Sequence, residues 1–156
     1  MNVRQANSAD APLLSSLSVD VQRLHAEHHP DVFKVPSGEN YAVTFFSEAL
    51  ADVATRIYIA EQNGDALGYV LCKLIERQEN PFTVAMRYLL IDQISVRPSA
   101  RRQGVGAALM EQAKLLARTL GVQKMQLDSW GFNLNAHAFF ERIGFQKFDF
   151  RFWRYL

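Results

Sequence analysis

The stretch ISVRPSARRQGVGAALM, Ile94 to Met110, dictates more of the fold than any other part of the chain. Ile94-Ser95-Val96 closes a largely apolar run that begins near Tyr88. Pro98 has no N–H for a sheet ladder and restricts Arg97 to extended geometry, so Arg97 to Ala100 is a turn. Arg101-Arg102-Gln103-Gly104-Val105-Gly106 then opens a helix. Val105, Ala108, Leu109, Gln112, Leu115, Leu116, Thr119 and Leu120 recur at three- and four-residue spacing, and all but Gln112 and Thr119 are apolar.

A strand, a basic glycine-containing turn and a helix together make an anion site. The first N–H groups of a helix have no partner within it, and the helix dipole adds partial positive charge there. Gly104 and Gly106 lack side chains, which opens those amides to a phosphate. Arg101 and Arg102 add full charges. The spacing excludes two common phosphate binders. A P-loop has four residues between its glycines and then Lys, whereas one residue separates Gly104 from Gly106 and no Lys follows. A dinucleotide fingerprint needs a third Gly where Leu109 stands.

The 156 residues favour one domain, 1–156, with room for a sizeable core. Apolar residues make up 49% and charged residues 21%, a globular rather than disordered balance. A net charge of +1 provides no general attraction to nucleic acid or to an anionic membrane, and neither is expected as a partner. No run approaches eighteen apolar residues and no basic-then-apolar leader is present, so a soluble cytoplasmic protein is expected. The single cysteine, Cys72, lies among strand-like residues with no flanking base and reads as core rather than nucleophile.

Asn2 to Ala6 forms a short strand pattern. Ser8 and Asp10 are capping residues for a helix carrying Leu13, Leu14, Leu17, Val21 and Leu24 on one face. That helix runs out near His28-His29-Pro30. His25 and His29 have four-residue spacing, but no Glu follows the first His and no acidic or Cys partner is evident, so no metal is expected. These histidines belong instead to the surface or to an acceptor pocket. A loop from Asp31 to Asn40 leads to a second helix, Tyr41 to Leu50, burying Phe45, Phe46, Ala49 and Leu50. Two early helices joined by a long loop are a natural place to shape a substrate pocket.

Arg56 to Ala60 and Leu67 to Ile75 read as strands joined by a hairpin at Asn63-Gly64-Asp65. Met86 to Val96 is nearly continuous in hydrophobicity, which points to a central strand covered on both faces. Asp92 is its lone acidic residue, and a buried carboxylate is costly unless paired or useful. Gly121 caps the long helix. Lys124 to Leu127 is a strand, and Asn133 starts a helix that Gly144 ends. From Phe145 to Tyr155 aromatics recur at every second residue, so a strand or hairpin with one buried aromatic face is expected. Such aromatics would also support a homodimer.

The pattern R-x-x-G-x-G at Arg101 to Gly106, following a strand, resembles the acyl-CoA-binding motif of the GNAT superfamily of N-acetyltransferases. The segment LDSWGFNLNAHAFFERIGF, Leu127 to Phe145, is similar to that family's C-terminal motif. Asn133 and Ala136 match its N-x-x-A, Phe139-Phe140-Glu141 its aromatic pair and acid, and Gly144-Phe145 its end. The resemblance implies an α+β fold. Its central, mostly antiparallel mixed sheet contains one splayed parallel pair and is flanked by about four helices. It also implies acetyl-CoA as co-substrate. The pantetheine arm would enter between Ile91–Val96 and Lys124–Asp128 and bond main-chain groups along Ile94-Ser95-Val96. Arg101, Arg102 and the amides of Gln103, Gly104, Val105, Gly106 and Ala107 would hold the pyrophosphate, with Asn133 reaching from the other side.

One position departs from the family. A tyrosine that protonates the departing thiolate usually stands where this chain has Phe140. Water, Ser129 or His137 would have to replace it, or the thiolate would leave unassisted, which a thiol of pKa about 8.5 tolerates. The implied reaction is direct attack of an amine on the acetyl thioester. An alkylamine with a pKa of about 10 arrives protonated and needs a base or water chain. Asp92 is the first candidate base and Asp128 the second. A strand N–H of Ile94 or Val96 would polarise the thioester carbonyl. The expected acceptor is a small-molecule amine. A protein or peptide acceptor and a non-catalytic acyl-CoA-binding protein are the alternatives.

Overall fold

A computed structural model describes residues 1–156. The chain runs β1 (Asn2–Gln5), α1 (Ala11–His28), α2 (Val43–Ala51), β2 (Thr55–Gln62), β3 (Asp65–Arg77), β4 (Met86–Val96), α3 (Val105–Thr119), β5 (Met125–Leu127) and α4 (Leu134–Arg142). The five strands form one sheet in chain order. The first three pairings are antiparallel, and β4 with β5 is parallel. The expected mixed sheet and four helices are therefore present, with β3 rather than β4 at the centre.

Local sequence explains the hairpin between β2 and β3. Asn63 and Gly64 have φ of 54° and 88°, the left-handed pair that a tight two-residue hairpin turn requires. Alternation along the strands then feeds two cores. Tyr58 and Ala60 of β2, with Val70 and Cys72 of β3, join Val105, Leu109, Ala113 and Ala117 of α3. Ile57, Ile59, Tyr69 and Leu71 point the other way, onto Leu14 and Leu17 of α1 and Phe46 of α2. The sheet thus lies between α1 and α2 on one face and α3 on the other.

The buried face of α3 is shifted from the sequence reading, which left out Met110, Ala113 and Ala117 and included the exposed Leu115 and Thr119. Val105, Leu109, Met110, Ala113 and Ala117 are buried, whereas Leu115 is 46% exposed. The apolar stripe is narrower than the run of leucines implied, and Leu115 sits outside it. Likewise Phe46 and Ala49 of α2 are buried, while Phe45 is 41% exposed.

Close approach of strands fixes one glycine. A Cβ on Gly68 of β3 would stand 2.4 Å from the Ser95 carbonyl oxygen of β4. At the sheet's other edge, the Arg4 guanidinium grips Asp10 through two bonds of 2.8 and 2.9 Å and Glu61 through a third of 2.8 Å. Asp10 also accepts the Asn7 N–H at 2.8 Å. The Arg4 bond is the chief reason that the Asp10 carboxyl is held below its ordinary value of 3.8.

The C-terminal segment is a correction. Residues 145–156 form no strand, and Phe148, Phe150 and Phe152 are exposed rather than buried. Trp153 and Tyr155 instead turn back onto the end of α1, where Trp153 meets His29 and the Tyr155 hydroxyl donates to Asp31. The alternating pattern is real, but no neighbouring strand supplies the other half of a ladder. No helix is long and apolar enough to cross a membrane.

Candidate active site

The site begins where β4 and β5 part. Their pairing runs Leu89↔Met125, Leu90↔Gln126 and Ile91↔Leu127, then stops, while β4 continues to Val96. A β-bulge sits at that point. Leu71 pairs with Gln93 and Cys72 with Ile91, so Asp92 has no opposite residue. Before the bulge, the Leu89 N–H donates to Lys124 across the β5 side. Beyond it, the Arg97 N–H donates to Leu67 on the β3 side. Alternation from Arg97 turns the main-chain groups of Val96 and Ile94 toward the open gap. Were the strand regular through Asp92, Gln93 and Ser95 would face the gap instead. The Ser95 side chain is buried on the α1 face of the sheet, and its hydroxyl donates to the Leu17 carbonyl at 2.9 Å. The strand's one acidic residue therefore marks its irregularity.

Just past β4, Pro98–Ala100 makes a short 3-10 turn and α3 starts at Val105 after Gly104. Arg102 and Gly104 have φ of 62° and 81°. The first α-helical bond is Ala108 N–H to Gly104 carbonyl, and no side chain caps this end. The six consecutive amides from Arg102 to Ala107 donate to nothing within the protein. They form a concentrated patch of free donors at the positive end of a fifteen-residue helix. Arg101 donates weakly to the Val96 carbonyl at 3.4 Å, and Arg102 has no acidic partner within 4 Å.

The two glycines have different reasons. Gly104 supplies the left-handed turn, and a Cβ there would meet open space. A Cβ on Gly106 would come within 3.2 Å of the Phe139 ring. Gly106 therefore lets α4 pack closely on α3, beyond whatever access it gives to a ligand.

Between the splayed strands and the first two helices lies a cleft of about 460 Å³. It brings together Asp92, Ile94, Asp128, Asn133 and Phe140, all singled out from the sequence. Val96 and Arg101 to Ala107 lie outside this cleft, around the helix end. Asn133 is the N-cap of α4, its side-chain oxygen accepting the Ala136 N–H at 3.3 Å. This gives the N-x-x-A spacing a local cause. The Asn133 amide N–H groups have no protein partner and remain free to donate.

The two candidate bases sit differently. The Asp92 carboxylate pairs with Lys73 of β3 at 3.2 Å, its side chain 26% exposed. Asp128 has no basic group within 4 Å. Phe140 is buried against Phe139 and Phe145. Of the two side chains offered as replacement acids, Ser129 lines the cleft and His137 does not. Cys72 lies in the other core, where burial pushes its thiol up to about 12, so it is no nucleophile at neutral pH.

Sequence reasoning missed the aromatic side of the cleft. Phe33, from the loop after α1, meets Trp130, from the loop after β5, edge to face with ring centroids 5.0 Å apart. His29 braces Trp130 at 4.7 Å, and His28 stacks flat on Phe132 at 4.0 Å. The histidines are thus part of an aromatic bridge, and no group of three or more His, Cys, Asp or Glu is placed to hold a metal. His25 lines the cleft, its Nδ1 bonded to the Val21 carbonyl at 2.7 Å. A carbonyl only accepts, so Nδ1 donates in this contact. Nothing in the local sequence pairs Phe33 with Trp130, since their contact depends on the whole sheet.

The site thus consists of a free-amide patch just past the end of β4, an opening where β4 and β5 part, and a cleft at that opening. The chain belongs to the acetyltransferase (GNAT) family, whose model matches residues 19–145. An uncharacterized N-acetyltransferase, YhfO, of Bacillus subtilis is 26% identical over 148 residues, 94% of this chain and 91% of that protein. A tetramutant of the BH1408 protein from Bacillus halodurans has the same fold, with TM-score 0.93, 20% identity and full coverage of both chains. The aminoglycoside acetyltransferase AAC(6')-Iy, solved with a bisubstrate analogue of CoA and acetylneamine, superposes with TM-score 0.76. Its identity is 19%, and 99% of this chain and 97% of that one are covered.

Proposed function

We propose that this chain transfers an acetyl group from acetyl-CoA directly to a primary amine of a small molecule. The supporting observation is the run of six free amides, Arg102 to Ala107, at the helix end beside the β4–β5 gap. These donors suit a diphosphate, and Arg102 adds an unpaired cation. The pantetheine arm then lies along the main-chain groups of Ile94 and Val96, with Asn133 donating from the opposite wall. AAC(6')-Iy, with its CoA-based analogue, supports a co-substrate of this kind. No metal takes part in this reading.

The amine nitrogen attacks the acetyl carbon, the C–N bond forms and the C–S bond breaks. Thiolate leaves and takes up one proton, while the ammonium has lost two in all, so one proton is released to solvent. An N–H of Ile94 or Val96 stabilises the oxyanion. Asp92 and Asp128 are the groups proposed to draw protons from the amine, Asp92 from the bulge beside the thioester and Asp128 from the facing wall. Asp92→Asn and Asp128→Asn each identify the base by loss of the acidic limb of the kcat/KM–pH profile. An unchanged profile in both rejects the pair. Phe140 offers no proton, so departure relies on the thiol's own acidity, or on water or Ser129.

Calorimetry with CoA tests the reading, followed by thiol release from acetyl-CoA across amines and peptides. Ala107 is exposed at the helix end, so Ala107→Glu adds like charge at the phosphate bed without striking the core. It is expected to weaken CoA binding at least about tenfold, a loss of about 1.4 kcal/mol, with unchanged melting. Absent heat in the native protein rejects the site. Heat without turnover selects the non-catalytic reading, which the missing hydroxyl at Phe140 favours. Turnover of peptides alone selects a protein or peptide acceptor. Consumption of acetyl-CoA is consistent with the cytoplasm as the working compartment.

A further inference from the structure

We propose that the acceptor is a monoamine with a flat apolar body, an arylalkylamine in chemical class, and that polycationic amines are poor substrates. This rests on the acetyl-transfer reading above and names the substrate of that site. Three observations on the acceptor side of the cleft carry it.

The first is the wall. Phe45 of α2 is 41% exposed and Trp130 is 38% exposed, yet both line the cleft, with Phe33 completing the aromatic side. Large rings left uncovered at a cavity wall are surface that a flat ligand can cover. The second is charge. Asp92 and Asp128 are the only carboxylates in the lining, and Lys73 neutralises Asp92 at 3.2 Å. One uncompensated carboxylate matches one ammonium. A polyamine or aminoglycoside would bring several charges into a site with a single counter-charge, and each surplus charge would lose water without compensation. The third is space. The same cleft, about 460 Å³, must also take the thioester end of the cofactor. The Phe33–Trp130 contact at 5.0 Å spans one side of it, from the loop after α1 to the loop after β5. What remains suits a ring with a short amine arm.

The test compares thiol release from acetyl-CoA with 2-phenylethylamine and tryptamine against spermidine, kanamycin and a free-amine peptide. Either arylalkylamine is expected to exceed every other acceptor at least tenfold in kcat/KM. Phe45→Ala and Phe33→Ala are expected to raise its KM about tenfold while leaving CoA affinity, read by calorimetry, unchanged. Preference for spermidine, kanamycin or the peptide overturns the substrate class and leaves acetyl transfer standing. An unchanged KM in both variants overturns the aromatic wall. Absence of CoA binding and of any turnover removes the parent reading along with this one.

Discussion

Asp10 shows how one carboxylate can tie three elements. Arg4 joins it to β1 and, through Glu61, to β2, while Asn7 closes the turn before α1. Asp10 is itself buried. Its pKa is lower folded than unfolded, so the stability it contributes is present above the ordinary value of 3.8 and is lost as pH falls through the lower folded value. Asp10→Asn breaks the charged pairing and leaves Arg4 undercompensated, at a cost of about 1–3 kcal/mol near neutral pH. Urea unfolding should show this difference at pH 7 and a shrinking difference below about pH 4. A difference constant with pH would show that charge plays no part.

The β3–β4 pairing leaves Gly68 the least room of any glycine in the chain. Adding a methyl group at Gly68 would drive it against the Ser95 carbonyl of the neighbouring strand, which must shift because backbone cannot rotate away. Gly68→Ala should cost about 3 kcal/mol and disturb the Ile94–Val96 segment, so CoA affinity should fall with stability. Melting and calorimetry on the same sample check this, and an unaffected melting temperature would refute it. Elements set by short-range chemistry were legible in the sequence. Asn63-Gly64 announced its hairpin, Pro98 its turn and Asn133 its cap. The α3 period was clear, though the period alone did not exclude Leu115 from the buried stripe. The bulge at Asp92 was not legible, because a bulge is a relation between two strands. The strand expected after Phe145 failed for the same reason, since alternation encodes a preference that only a partner can satisfy.

For the molecule as a whole, the phosphate bed could be read from a single stretch, whereas the aromatic side of the cleft could not. Phe33, Phe45 and Trp130 come from three separate segments that the sheet brings together. The exposed tail raises a question of assembly. Trp153 and Tyr155 anchor it to the end of α1, leaving Phe148, Phe150 and Phe152 displayed to solvent. We propose a homodimer that covers them. Sedimentation should give a dimer at micromolar concentration, and Phe150→Glu with Phe152→Glu should give a monomer of unchanged melting temperature. A native protein that sediments as a monomer would reject this assembly.

The odd residue in β4 acts as a half-turn of a key. Running straight through Asp92, the same residues would bring Gln93 and Ser95 to the gap and lock Ile94 and Val96 to β3, whereas deleting Asp92 would straighten the strand and leave both where they are. Loss of this one residue should therefore remove the kink while keeping Ile94 and Val96 turned to the gap, so binding along these two residues should outlast the bulge.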